Sequence, residues 1–369
     1  MHLARLELTN FRSYQTLRME PDPGVNVLIG QNGAGKTNIL EAIGYLSMQK
    51  SLRRTPDVAL IRTGEEAAVI RGEFGDSTGP IEVAVEIPEQ GRRHVLVNGK
   101  RPKRISDVAN TVPMVAFLPD DLDLVKRGPS LRREYLDDLG AQLIPTVGAD
   151  QTEFEKTLRQ RNSLLRHEGR NVDPMTLDVW DVRLADYGGR VAANRLTLLS
   201  RLESLLGDAY RTVGGGAEKS LVPRYSSSWF TPGDARLVDR DHEELSSKLL
   251  RALEQRRARD LETRTTSAGP HRDDPGFVLD GRDVRVQASQ GEQRSVALGL
   301  RIAAYQLLED RHGRPPILLL DDVFSELDPG RAEGVTGLLP RGQVFVTSAR
   351  DDEVPTIGKR WRVAEGVVT

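Results

Sequence analysis

The sequence predicts an α/β fold: a parallel sheet with an antiparallel meander beside it, interrupted by an inserted helical second lobe. Three observations predict it. The apolar run Val25 to Ile29 leads directly into Gly30-Gln31-Asn32-Gly33-Ala34-Gly35-Lys36-Thr37, the strand, glycine-rich loop and helix start of a P-loop. Two more short apolar runs, Ile317–Leu320 and Val344–Thr347, have the composition of parallel strands buried on both faces. Between residues 121 and 262 strand patterning gives way to helical spacing, which divides the chain into a first lobe of residues 1–120 and 263–369 and an inserted lobe of residues 121–262.

Each element follows from its residues. Leu3, Leu6 and Leu8 among Arg5 and Glu7 predict an early strand, followed by Asn10-Phe11-Arg12-Ser13-Tyr14 and the loop-bearing strand at 25–29. From 67 to 97 apolar and polar residues alternate in three short runs ending at Asn98-Gly99, which predicts an antiparallel meander. In the insertion, Leu196, Leu199, Leu202, Leu205 and Leu206 recur at helical spacing. Gly169, Pro174, Gly188-Gly189 and Gly214-Gly215-Gly216 are expected to break that helical region repeatedly, so it should not form one long coiled-coil arm. Strand character returns at Gly276 to Val286, and a helix from about 290 to 311 stops at Gly313 and Pro315-Pro316.

With 369 residues, 38% of them hydrophobic, the chain can bury one large core or two ordinary ones. A net charge of −2 supplies no global field toward nucleic acid, so any DNA contact must be a local basic patch. The absence of cysteine excludes disulfides, cysteine zinc sites and cysteine nucleophiles. No apolar run approaches a membrane span and Met1-His2-Leu3-Ala4-Arg5 opens a strand, so a cytoplasmic protein with no membrane partner is expected.

The loop's glycines let backbone N–H groups face phosphate oxygens, with the following helix start presenting its dipole to the same charge. Lys36 can then reach the β- and γ-phosphates of ATP, and the Thr37 hydroxyl can ligate Mg2+. Asp321 ends an apolar strand, where a carboxylate can hold Mg2+ at the ligand-binding edge of an open α/β sheet. Asp322 is the candidate for polarising the attacking water; as a cap or ion-pair partner it would have a structural role instead. Asp328, before Pro329, reads equally well as a turn starter. Ser289-Gln290-Gly291-Glu292-Gln293 precedes the acidic strand and carries two readings at once. Ser289-x-x-Glu292 is a capping box, and Ser289 with Gly291 also fits a helix start that meets the γ-phosphate held by another protomer. Loop, signature and acidic strand together indicate an ATPase that closes as a homodimer on ATP. Lys100-Arg101-Pro102-Lys103-Arg104 and the run Arg251, Arg256, Arg257, Arg259 could grip phosphates or form solvated faces. His271 lacks metal-site spacing and is read as a structural hydrogen-bonding residue.

These residues resemble the RecF family, bacterial DNA-repair ATPases related to SMC and ABC-type heads. The resemblance rests on Asn10-Phe11-Arg12-Ser13-Tyr14, the loop at 30–37, Phe117-Leu118-Pro119-Asp120-Asp121-Leu122 with Pro129 and Arg132-Arg133, the segment 269–274, Ser289-Gln290-Gly291, and Asp321 through Asp328, in that order and over nearly the whole chain. It implies an ABC/SMC-type ATPase head, weak DNA-dependent ATP hydrolysis and ATP-driven dimerisation. It also implies binding to double-stranded DNA and ss/dsDNA junctions and cooperation with RecO and RecR, leading to RecA loading at gaps coated by SSB. By motif, Gly30 to Thr37 hold the nucleotide, Ser289 and Gly291 act in trans, Asp321 binds Mg2+, Asp322 is the base, and Arg12 touches phosphate.

Departures from the wider ABC pattern sharpen the expectation. Glu292 stands where transporter signatures have glutamine, Gln290 where they have glycine, and Ser348 where they have a switch histidine. Thr347 or Ser348 is then the candidate γ-phosphate sensor, and fewer donors predict slow hydrolysis. The ATP-binding subunit of an ABC-type transporter is the competing function, and the altered signature argues against it.

Overall fold

The computed structural model describes all residues except 77–78, 105, 214–218, 231–240, 328, 338–341, 352–353, 355–357 and 365, together with the side chains of 326, 329 and 330. In chain order the elements begin with β1 (His2–Phe11), β2 (Tyr14–Met19), β3 (Val25–Ile29), α1 (Lys36–Met48), β4 (Ala67–Gly75), β5 (Ile81–Pro88), β6 (His94–Val97), α2 (Ser106–Thr111) and β7 (Met114–Phe117). They continue through α3 (Leu122–Lys126), α4 (Pro129–Leu143), α5 (Pro145–Glu168), α6 (Pro174–Val213), β8 (Leu221–Ser226) and α7 (His242–Thr263). Then come β9 (Asp274–Leu279), β10 (Arg282–Asp283), α8 (Val284–Gln287), α9 (Gln290–His312), β11 (Ile317–Asp321), α10 (Val323–Glu326), α11 (Pro329–Thr336), β12 (Val344–Ser348), β13 (Lys359–Ala364) and β14 (Val367–Val368).

These elements form two compact units. The first holds residues 1–121, 208–218 and 297–369, and the second holds residues 122–207 and 219–296. Residues 263–296, which the strand pattern groups with the ATPase lobe, thus cluster with the second unit, and 208–218 with the first.

In the first unit, β3 lies between β12 and β13, and β11 joins β12 to the edge strand β7, all in parallel; antiparallel β14 completes the sheet. Every residue of β11 and β12 is buried, which is why those runs are uninterrupted apolar sequence ending in polar residues only at their C-terminal edge. A second, antiparallel sheet has the order β2-β1-β4-β5-β6. The meander is therefore extended by the N-terminal hairpin, whose Leu3, Leu6 and Leu8 point into the same core as Ile70, Phe74, Val83 and Val85. That core also takes Ile39, Leu40 and Ile43 of α1, so the helix bearing the loop is packed on both its sheet neighbours' apolar faces.

The second unit is mostly helical, with one correction to the expected absence of strands. Leu221–Ser226 forms β8, antiparallel to β9, and β9 turns through Asp280 and Gly281, both at positive φ, into β10. Leu221, Pro223 and Tyr225 alternate inward there, a period too short to stand out between long helices. A second correction concerns the breaks. Gly169 and Pro174 do end α5 and begin α6, but α6 then runs 40 residues straight through Gly188-Gly189. A Cβ on Gly189 would lie 2.6 Å from Ser246 N and 2.7 Å from His242 O of α7, and one on Gly188 would collide with Leu249. The pair allows close helix contact instead of ending the helix. Gly214–Gly216 lie outside the described residues. Arg161, fully buried, donates to Asp181 Oδ1 at 2.6 Å and Asp260 Oδ2 at 2.8 Å, which ties α5, α6 and α7 through one cation. Among the described residues, no helix is long and apolar enough to cross a membrane.

Candidate nucleotide site

The first unit's parallel order brings the C-terminal ends of β3, β11 and β12 side by side, the edge at which open α/β sheets bind ligands. Gly30 follows β3, and a Cβ there would strike the carbonyl of Val363 on β13. Gly33 and Gly35 take positive φ of 84° and 107°, conformations glycine alone adopts without strain. A Cβ on Gly35 would also sit 2.8 Å from the Tyr14 hydroxyl and 2.9 Å from Ser13 Oγ. Tyr14 donates to Gly35 O at 3.1 Å and Asn38 Nδ2 donates to Ser13 Oγ at 3.0 Å, so the turn after β1 braces the loop. Local sequence gives no sign of this role for Ser13 or Tyr14, since the bracing joins segments more than 20 residues apart.

Lys36 opens α1 and its ammonium donates to Gly30 O at 2.5 Å and Gln31 O at 2.9 Å, spanning its own loop. Burial lowers its pKa, opposed by the nearby Asp322 and Asp321 carboxylates. The N–H groups of Lys36 and Thr37, at the first positions of α1, have no intrahelical acceptor. Thr37 Oγ1 donates to Asp321 Oδ1 at 2.8 Å. Thr347, at the end of β12, donates to the same Oδ1 at 2.8 Å and accepts the Asp322 N–H at 2.8 Å. Asp322 itself stands at φ 51°, a left-handed conformation that turns the chain sharply between β11 and α10. Ser348 Oγ donates to Arg350 O at 2.7 Å, and its carbonyl accepts the Gly30 N–H at 3.3 Å.

This donor set fits a nucleotide and a hard divalent cation. A lysine able to exchange its loop carbonyls for phosphate, a helix start whose first N–H groups lack intrahelical acceptors, and a hydroxyl and carboxylate already 2.8 Å apart are the oxygen and cationic groups such ligands require.

The structure thus brings Lys36, Thr37, Asp321 and Asp322 together with Thr347, one of the two sensor candidates, whose hydroxyl is engaged by Asp321 and the Asp322 N–H, while the other, Ser348, turns its hydroxyl to Arg350 O. Arg12 is placed differently. Its guanidinium donates to Glu41 Oε2 at 2.9 Å, Glu41 Oε1 at 3.0 Å, Thr55 Oγ1 at 2.9 Å and Ala59 O at 2.9 Å. Four of about five donors are used there, so a phosphate contact has one Nη1 N–H to draw on. Asp328 lies outside the described residues.

Ser289 and Gly291 belong to the second unit, at the start of α9. The capping box is present in both directions: Ser289 N–H donates to Glu292 Oε2 at 2.7 Å, and Glu292 N–H to Ser289 Oγ at 3.3 Å. Ser289 is exposed, and its side chain also hydrogen-bonds the Glu292 carboxylate, so a contact in trans would be made by a surface hydroxyl already engaged in the cap. In the same unit His271 donates from Nε2 to Thr266 O at 3.2 Å, the structural histidine expected. The cations Lys100, Arg101, Lys103 and Arg104 lie on the loop after β6, and all four are exposed. In the other basic run, Arg256 is turned onto Ser228 and Ser267 O, and Arg257 onto Asp178 and Asp181, so those two serve the unit's own packing.

Known proteins of the same architecture resemble the chain in sequence as well. The family model described as RecF/RecN/SMC N terminal domain matches residues 2–366. A DNA replication and repair protein RecF from Acidothermus cellulolyticus is 40% identical over 372 residues, covering 100% of this chain and 99% of that protein. The RecF of Streptomyces avermitilis is 39% identical, with 100% and 99% covered. Among solved structures, an ATP-bound recombination mediator protein RecF of the RecFOR pathway superposes with a TM-score of 0.92 at 30% identity, covering 100% of this chain and 97% of that one. An Smc head bound to the winged-helix domain of ScpA, at TM-score 0.55 and 16% identity, shares the fold alone. The chain therefore belongs to the RecF/RecN/SMC N-terminal domain family, within its RecF group of DNA replication and repair proteins.

Proposed function

We infer that this chain is an ATP-dependent DNA-binding recombinational repair protein that dimerises on ATP and hydrolyses it slowly in response to DNA. Its outcome is the loading of a RecA-type recombinase at SSB-coated single-strand gaps or ss/dsDNA junctions, in concert with RecO and RecR, in the cytoplasm where ATP and the chromosome meet. The observation that carries the reading is the Thr37–Asp321–Thr347 hydrogen-bond chain beside Lys36, because it supports ATP with Mg2+ as the ligand. Bound ATP supplies the phosphoryl group and its Mg2+ neutralises charge on it.

In this reading Lys36 leaves its loop carbonyls for the β- and γ-phosphates, while Gly30 to Gly35 direct backbone N–H groups at their oxygens. Thr37 and Asp321 hold Mg2+, and Thr347 keeps the Asp321 carboxylate oriented. Asp322 orients the attacking water, and Ser289 with Gly291 completes the site from a second copy. Few donors surround the transferring group, which favours slow turnover. The cations from Lys100 to Arg104 give the sequence-independent grip on DNA phosphates that the net charge of −2 does not. The transporter alternative has no counterpart among the relatives above.

The test is the hydrolysis rate per chain across protein concentration, with and without duplex DNA at fixed salt. A rate that climbs with concentration and rises again with DNA is expected. A rate indifferent to both would reduce the reading to a P-loop ATPase.

A further inference from the structure

The capping carboxylate beside Ser289 raises an electrostatic problem. A phosphate approaching the serine meets the negative charge of Glu292 within the same turn, and like charges at a desolvated contact oppose association. The second unit answers it with two cations. Lys219, which enters β8, donates to Glu292 Oε1 at 2.6 Å, and Arg282 of β10 reaches the same oxygen at 3.4 Å. The other oxygen, Oε2, is kept for the Ser289 N–H at 2.7 Å. The carboxylate is thus divided, one oxygen on the serine's backbone and one on the cations, and its pKa is held down to about 2, chiefly by the Lys219 hydrogen bond. Gln293, next along, is pinned separately by donating to Val284 O at 3.1 Å and Arg285 O at 3.2 Å, so the turn has its own anchor besides Lys219.

We propose that Lys219 is a positioning residue for Ser289: it neutralises and aims the Glu292 carboxylate, so that the serine can meet a phosphate held by a second copy of the chain. This rests on the reading of Ser289 as a contact in trans. Arg282 assists from farther away. The role is electrostatic rather than merely a staple between β8 and α9. If Lys219 serves to offset a charge, removing that charge should make it dispensable, and glutamine still serves in a capping box.

The experiment measures ATP binding to monomers and ATP-dependent dimerisation by sedimentation, using the full chain, for Lys219→Met, Lys219→Arg, the double variant Lys219→Met with Glu292→Gln, and Ser289→Arg. Lys219→Met is expected to keep its monomer affinity for ATP but to lose about tenfold in dimerisation, with Lys219→Arg and the double variant back within about twofold of the parent. Ser289→Arg should bind ATP without forming dimers. If Lys219→Met dimerises like the parent while Ser289→Arg does not, the Lys219 role is overturned and the trans site stands. A double variant no better than Lys219→Met also overturns it, leaving a staple. Normal dimers from Ser289→Arg remove both. Should Lys219→Met fold poorly, Lys219→Arg decides alone against Lys219→Gln, since both are long and polar and only one is charged.

Discussion

Thr347 Oγ1, at the end of β12, donates a hydrogen bond of 2.8 Å to Asp321 Oδ1 on the neighbouring strand β11. The same hydroxyl oxygen accepts the Asp322 N–H, so one buried hydroxyl orients the carboxylate and fixes the turn that follows it. Thr347→Val keeps the shape and removes both bonds. It should cost about 1–3 kcal/mol of stability, the penalty of a buried N–H and carboxylate left short of partners. ATP hydrolysis should fall roughly tenfold as the carboxylate loses its orientation. Thr347→Ser should restore both; hydrolysis by the valine variant at the parent rate would exclude this role.

Lys36→Ala separates binding from folding. Lys36 as a residue is 7% exposed and burial already disfavours its charge, so its removal relieves a desolvated cation. Fluorescent ATP-analogue binding should disappear while the melting temperature stays within about 1–2 °C of the parent, a shift of about 1 kcal/mol in a chain of 369 residues. A collapse of stability would mean that the lysine holds the loop together rather than waiting for phosphate.

In the second unit, Gly189→Ala sets propensity against packing. Alanine favours the middle of α6 by about 1 kcal/mol. Its Cβ would nevertheless lie 2.6 Å from the backbone nitrogen of Ser246, which cannot rotate away as a side-chain tip can. A net loss of about 2 kcal/mol is expected from overpacking, read as a lower urea midpoint. A stabilised variant would show that α6 and α7 part easily.

Half-buried His271 and buried Asp273 titrate in opposite senses. Burial lowers His271 from its ordinary 6.5 to about 4, with Arg272, Arg133 and Arg195 adding to the effect. Burial raises Asp273 from 3.8 to about 6, against hydrogen bonds from Tyr225, Ser227 and Trp229. The folded state therefore releases the His271 proton more readily than the unfolded chain, contributing stability at neutral pH that is lost as pH falls from 6.5 through 4. It retains the Asp273 proton more tightly, contributing stability below pH 3.8 that is lost as pH rises through 6. Each is worth roughly 2–3 kcal/mol and between pH 4 and 6 they nearly cancel. Relative to the parent, Asp273→Asn should gain stability with rising pH across that window, and His271→Gln should lose it. Parallel denaturation curves for the three proteins would contradict the assignment.

The cations of the loop after β6 make a salt-dependent forecast. Replacing Lys100, Arg101, Lys103 and Arg104 with alanine should lower duplex affinity and reduce the slope of log affinity against log salt by about 0.9 for each phosphate no longer neutralised. An unchanged slope, measured by fluorescence anisotropy, would assign these residues to a solvated surface.

What the sequence determined by itself is what local spacing encodes. Gly30 to Thr37 after an apolar strand, Asp321 at the end of another, and Ser289 three residues before Glu292 are short-range patterns, and each appears in the structure as strand, edge or cap because the physics involved spans one turn or one strand. The parallel sheet, the meander and the largely helical insertion were legible for the same reason. Tertiary structure alone decided the rest. Thr347 meets Asp321 only because β12 lies between β3 and β11, and Arg12 turns to Glu41 only because α1 packs against the hairpin of β1 and β2. Gly188-Gly189 reads as a helix break until the neighbouring helix is present, and Lys219 is 73 residues from the carboxylate it holds. Periodicity reports which face of a segment is buried; it carries no information about which segment covers that face.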